Sequence, residues 1–173
     1  MNLRPPPVRF LVALTLASAA ASAAQVAAPR AVREKRSQAE VPTIAGSLQV
    51  CRVDYEDGGH TNQVSLAGRP LFEEAEDESV SIAAAHPEKG PARVVLLQLN
   101  TGGSGCPSFY QVVEVKDDGA AVRSPRFGNC SPLARSSYVG AVLRIDIPKI
   151  GGAAAQSWSY SDGKLAKAVP RRR

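Results

Sequence analysis

The chain has 173 residues, 44% of them hydrophobic, only 5% aromatic and 21% charged, with a formal net charge of +5. That length suits one ordinary domain. The charge does not mark a nucleic-acid face, because residues 47–169 hold 12 cations against 14 acids, a net of −2, and the excess cations lie towards the ends. Cations scattered without a stripe or interleaved aromatics do not build such a surface, so no nucleic-acid partner is expected.

At the start, Arg4 and Arg9 precede the apolar run Phe10 to Ala17, and "ASAAASAAQ" follows. A basic end, an apolar middle and a small-residue cut site form the pattern of a secretory signal peptide, here residues 1–23. The cut is expected after Ala21-Ser22-Ala23 or one residue later. The apolar run is too short to cross ~30 Å of hydrocarbon, and no cysteine near the cut offers itself to a lipid. A periplasmic or secreted protein is therefore expected, with no transmembrane anchor after cleavage.

Residues 24–46 ("AQVAAPRAVREKRSQAEVPTIAG") carry alanine, proline and mixed charge with few large apolar side chains. Such a segment buries too little surface to offset its ordering entropy and reads as a disordered leader. A single β-rich domain is expected over 47–169, followed by a basic tail at 170–173.

Within 47–169 the dominant period is two. "SLQVCRV" and "SFYQVVEVK" are rich in branched and aromatic residues and predict strands. "ARVVLLQLN" is apolar on both parities, Val94 and Leu96 against Val95, Leu97 and Leu99, which predicts a central strand covered on both sides. In "YVGAVLRIDIP", Val139, Ala141, Leu143, Ile145 and Ile147 share one parity, as in a single strand with one buried face. Asp118-Gly119 and Asp162-Gly163 supply hairpin turns. Trp158 and Tyr160 share one face of the penultimate strand, where a core or interface role is the default. "FEEAEDESVSIAAAH" reads as an acidic turn at Glu73 to Glu78 and then a strand, with a short helix over 73–85 as the alternative. About eight short strands with Gly, Pro and Asp punctuation predict an all-β fold, an antiparallel β-sandwich or a partly open barrel.

The chemistry-bearing motifs fail on inspection. In "NTGGSGCPSFY" a nucleophile elbow would need a glycine where Cys106 stands and a helix where the chain stays extended. The same stretch lacks the third glycine of a dinucleotide loop and the Gly-Lys-Ser/Thr of a phosphate loop. His60 follows the acids of "DYEDGGH", but the calcium-loop template fails at Gly58 and Ser65. Neither His60 nor His86 has helical zinc-ligand spacing. No cofactor and no metal are expected, and no catalytic residue is singled out. The acidic run Glu73, Glu74, Glu76, Asp77 and Glu78 reads as a solvated face that offers a candidate interaction surface.

Three cysteines, Cys51, Cys106 and Cys130, allow three pairings in an oxidising compartment. The turn-borne Cys106 and Cys130 are the favoured pair. Closing the 24 residue steps between them would stabilise the fold by roughly 3 kcal/mol on the chain-entropy argument. Cys51 would then be a free thiol, either a small buried hydrophobe or a reactive group.

The stretches "NQVSLAGRPLFEEAEDESVSI", "NTGGSGCPSFYQVVEV", "SPRFGNCS", "LRIDIP" and "YSDGKL" resemble a group of small exported proteins of Gram-negative bacteria. That group carries a GGxxCP … FGxC … DGKL pattern, and the resemblance spans about residues 62 to 166. It implies the Cys106–Cys130 pairing and an extra Cys51, and it brings no activity. The expected function is an exported non-catalytic β domain, a binding or accessory protein of the cell envelope with a protein or envelope partner. A secreted hydrolase with an unrecognised acid/base pair is one alternative. A thiol-dependent protein acting through Cys51 is another.

Overall fold

A computed structural model describes residues 29–75, 77–151 and 153–168. The expected signal peptide, Glu76 and the basic tail lie outside the described residues. Among those described, the chain is all-β, with thirteen strands in three antiparallel sheets, none closed into a barrel.

The first sheet is a meander of β1 (Val32–Thr43), β2 (Gly46–Tyr55), β3 (His60–Leu66) and β4 (Arg69–Glu74). The second holds β5 (Ser79–His86), β6 (Val94–Asn100), β7 (Ser108–Val115) and β8 (Ala121–Arg123), and β9 (Phe127–Cys130) also pairs with β7. The third is a meander of β10 (Arg135–Val139), β11 (Val142–Ile147), β12 (Gln156–Ser161) and β13 (Lys164–Lys167).

Two cores stack these sheets into layers. Leu48, Val50, Val64 and Leu66 of the first sheet pack on Val95, Leu97, Leu99, Val113 and Val115 of the second. On the opposite face of the second sheet, Val94, Leu96, Tyr110, Val112 and Phe127 meet Leu143, Ile145, Ile147 and Tyr160 of the third. The second sheet is thus the middle layer. The two-sided apolar pattern of "ARVVLLQLN" marks β6 as its interior strand, as its parity predicts.

Four expectations need correction. Beyond β1 the described strands number twelve, β2 to β13, against about eight expected, because several runs fold back on themselves within a few residues. Residues 32–43, expected in the disordered leader, form β1, which runs along β2 from Val32↔Tyr55 to Thr43↔Gly46. Its first seven residues are exposed, so the ladder adds hydrogen bonds and little burial, and the composition carries no strand signal. Charged side chains on an edge strand also discourage further pairing. Cations of the expected leader instead reach acids of the β2–β3 hairpin: Arg30 pairs with Asp57 at 2.6 Å and Arg36 with Asp54 at 2.7 Å.

"YVGAVLRIDIP" is a hairpin, not one strand. Gly140 (φ 58°) and Ala141 (φ 62°) turn the chain between β10 and β11, the pair of positive angles that a two-residue turn matched to sheet twist requires. Val139 consequently ends 72% exposed while Leu143, Ile145 and Ile147 are buried. The helix offered as an alternative over 73–85 is absent, and β5 begins at Ser79 with Val80 in the first core. The Asp162-Gly163 turn between β12 and β13 forms as expected.

Candidate functional site

Cys106 and Cys130 form a disulfide with their Cα atoms 4.5 Å apart. The bond joins the loop before β7 to the end of β9, beside the Ser108↔Cys130 bridge between those strands. It closes the glycine-rich corner as a clip. Cys51 is free and buried on β2.

The two histidines serve different parts of the fold. His60 opens β3, with Nε2 4.0 Å from a carboxylate oxygen of Glu78. His86 closes β5, buried, with Nε2 2.9 Å from the Ser136 hydroxyl on β10 and its ring stacked 6.0 Å from Tyr138. Burial lowers the His86 pKa from its ordinary 6.5, against a weaker opposing pull from Glu88. Among the described residues, no three His, Cys, Asp or Glu side chains gather as a metal site.

The acidic run is a solvated face only in part: Glu73 and Glu78 are exposed, while Glu74 is partly buried and Asp77 is buried. Glu74 bonds Arg123 at 2.6 Å, Glu78 bonds Arg52 at 3.2 Å, and Glu73 accepts from Gln63 at 3.1 Å. Asp77 is fully buried, paired with Arg126 at 2.7 Å, and its backbone carbonyl accepts from Asn62 at 2.8 Å. A buried carboxylate requires this kind of compensation. The arginines that provide it stand 26 to 49 residues away in sequence, so local composition could not reveal the pairing.

Those ion pairs build something else. The segment Arg123 to Gly128 runs on from β8 into β9 along the same strand, β7, with a groove on each side. On the first-sheet side lies a polar groove of about 600 Å³, lined by Glu73, Glu74, Gln111, Arg123, Ser124 and Arg126. On the third-sheet side lies an open groove of about 770 Å³, whose wall includes Phe109, Phe127, Gln156, Trp158 and Lys167. Arg126 lines both and lies 5.1 Å from the centre of the Phe109 ring, a cation–π distance.

Trp158 is half-buried on β12, its indole N–H donating to Gln156 at 3.1 Å and its ring 5.1 Å from that of Phe127. Lys167 stands over the same indole at 5.5 Å. In the polar groove, Gln111 is 3% exposed and donates weakly to the Ser124 carbonyl at 3.4 Å. Its Oε1 has no hydrogen-bond partner among the described residues. A buried acceptor without a partner is uncommon in folded proteins and calls for an explanation.

An aromatic wall, paired charges and an unsatisfied amide suit non-covalent recognition. Trp158 was marked in the sequence only as a core or interface residue, while Gln111, Arg123 and Arg126 carried no signal, since their meeting depends on the stacking of sheets. Compared with known protein families, curated proteins and solved structures, the chain matches none.

Proposed function

We propose that this chain is an exported, non-catalytic β domain that binds a component of the cell envelope through the two grooves flanking Arg123 to Gly128. The observation that carries this reading is the junction at Arg126, where an aromatic wall and a polar groove share one side chain. Export is supported by the basic–apolar–small order of residues 1–23 and by the Cys106–Cys130 disulfide, a bond typical of oxidising compartments. The carboxylates of the polar groove support binding over acid/base chemistry, because Glu74 and the neighbouring Asp77 are already engaged by Arg123 and Arg126.

Fractionation of cells with thiol alkylation before and after denaturation tests export. The expected product is a processed chain outside the cytoplasm with one thiol, Cys51, alkylated only after unfolding. An unprocessed cytoplasmic chain with three reactive thiols would refute it. Co-sedimentation with purified envelope tests binding, and Trp158→Ala is expected to release the protein while its thermal melt stays cooperative.

A further inference from the structure

We infer that a second copy of this chain docks on the end of the third sheet about a two-fold axis, each copy placing its Leu133 in the groove of the other. The inference goes beyond the envelope-binding reading and uses a different surface.

That surface lies across β10, β11 and β12. Arg135, Asp146 and Ser157 stand in one row on the outer face of the sheet, out of phase with the buried Ile145, whereas Trp158 pairs with Ile145 and belongs to the inner face. A groove of about 780 Å³ opens at this row. Leu133 and Ala134 form one wall, Pro148 and Ala155 the other, and the buried Ile147 also lines it. Leu133 is 67% exposed. A lone exposed leucine is ordinary, but one that lines a contiguous apolar recess marks an interaction surface.

Both walls are fixed before any partner arrives. The Leu133 amide donates to the Ser131 hydroxyl at 3.3 Å, and the Ala134 amide donates to the Tyr110 hydroxyl at 3.1 Å. Across the groove, the Asn129 side chain donates to the carbonyls of Pro148 at 3.0 Å and Ala154 at 2.7 Å. A preset shape lowers the ordering cost of association.

The choice of occupant rests on self-complementarity. An apolar protrusion and an apolar recess share one patch, and a two-fold interface requires such a surface, since each feature meets its counterpart on the other copy. The charges follow the same rule. Arg135 and Asp146 face each other across β10 and β11 but close no ion pair among the described residues, and Asp146 accepts from the Ser157 hydroxyl at 2.5 Å. A two-fold axis sets each Arg135 against the other copy's Asp146, so cation and acid are answered together.

Sedimentation equilibrium of the disulfide-bonded chain, from about 1 µM to about 300 µM, tests this. A reversible monomer–dimer equilibrium is expected. Leu133→Arg should weaken it at least tenfold. Ala155→Arg, exposed on the opposite wall, provides a second variant should the first fail to melt cooperatively, with the same loss expected. Arg135→Asp and Asp146→Arg should each weaken association when alone, by setting like charges face to face. Mixed in equal amounts, the two variants should associate as tightly as the parent chain, because a mixed pair restores both contacts.

A chain that stays monomeric throughout overturns the inference. So does association that survives both arginine substitutions in the groove, or a mixture no tighter than its components. A monomeric chain whose Leu133 captures a different envelope protein assigns the groove to that protein and overturns it as well. Trp158→Ala should leave the association constant unchanged, so failure here is separable from failure of the envelope-binding reading.

Discussion

The two cores of this protein are built from different materials. Between the first and second sheets the buried cluster is aliphatic, Leu and Val with one alanine, and its aromatic neighbours Phe72 and Phe109 are only partly buried. Between the second and third sheets the cluster contains Tyr110, Phe127 and Tyr160, with Tyr138 and Trp158 at its edge. The aromatic core is also tied by polar handles. The Tyr110 hydroxyl donates to the Ser131 carbonyl at 2.9 Å and accepts from the Ala134 amide at 3.1 Å, while the Tyr160 hydroxyl donates to Glu114 at 3.0 Å. An aliphatic core is sensitive to volume alone, whereas a core with polar handles is sensitive to volume, to hydrogen bonding and to pH.

The largest expected effect tests the volume half of that contrast. Leu97→Ala, at a site with no solvent exposure, should cost about 3 to 4 kcal/mol. The loss should be equal at pH 5 and pH 7.5 in denaturant titrations. Next, removing the disulfide with Cys106→Ser and Cys130→Ser, which opens a loop of 24 residue steps, should cost about 3 kcal/mol, read as a shift in denaturant midpoint.

Tyr160→Phe should cost about 1 kcal/mol, since Glu114 Oε2 would keep only the Gly163 amide, at 3.0 Å. A loss close to that of Leu97→Ala would erase the distinction between the cores.

His86 sharpens the comparison by pH. Its pKa in the folded chain lies below the ordinary 6.5 because burial disfavours the imidazolium. As the pH falls through 6.5, the unfolded chain takes up the proton first, so stability falls and then levels off below the folded value. His86→Gln should flatten that slope. The first sheet titrates elsewhere: hydrogen bonds from Arg36 and then Arg52 hold Asp54 down to about 2 from 3.8. The stability it contributes is present above 3.8 and is lost only as the pH drops towards 2. Asp54→Asn should therefore alter the stability profile below pH 4 and leave the His86 window untouched. The smallest expected effect is a gain. Ala141→Gly relieves a left-handed alanine at φ 62° and should add up to about 1 kcal/mol.

Legibility in the sequence followed burial. β6 could be read because both parities face apolar neighbours, and the β12–β13 hairpin because Asp162-Gly163 is strong turn chemistry. β1 could not over its first seven residues, because exposed side chains on an edge strand obey no period. The β10–β11 turn hid inside a run whose alternation continues unbroken across Gly140 and Ala141. In the candidate site, the glutamates were visible as composition, but Arg123, which engages Glu74, comes from β8 in the sheet stacked against it. Charge runs report what a segment contains, and only tertiary stacking decides what it meets.

The two-sided middle layer also imposes an order on biogenesis. Val94, Leu96, Tyr110 and Val112 are covered by side chains that come largely from β11 and β12. A nascent or truncated chain ending before Val142 would expose this sticky flank, the kind of surface that invites aggregation. Synthesis would therefore have to run nearly to the β12–β13 hairpin before the polypeptide is safe from self-association, and holdases would be needed most during that interval.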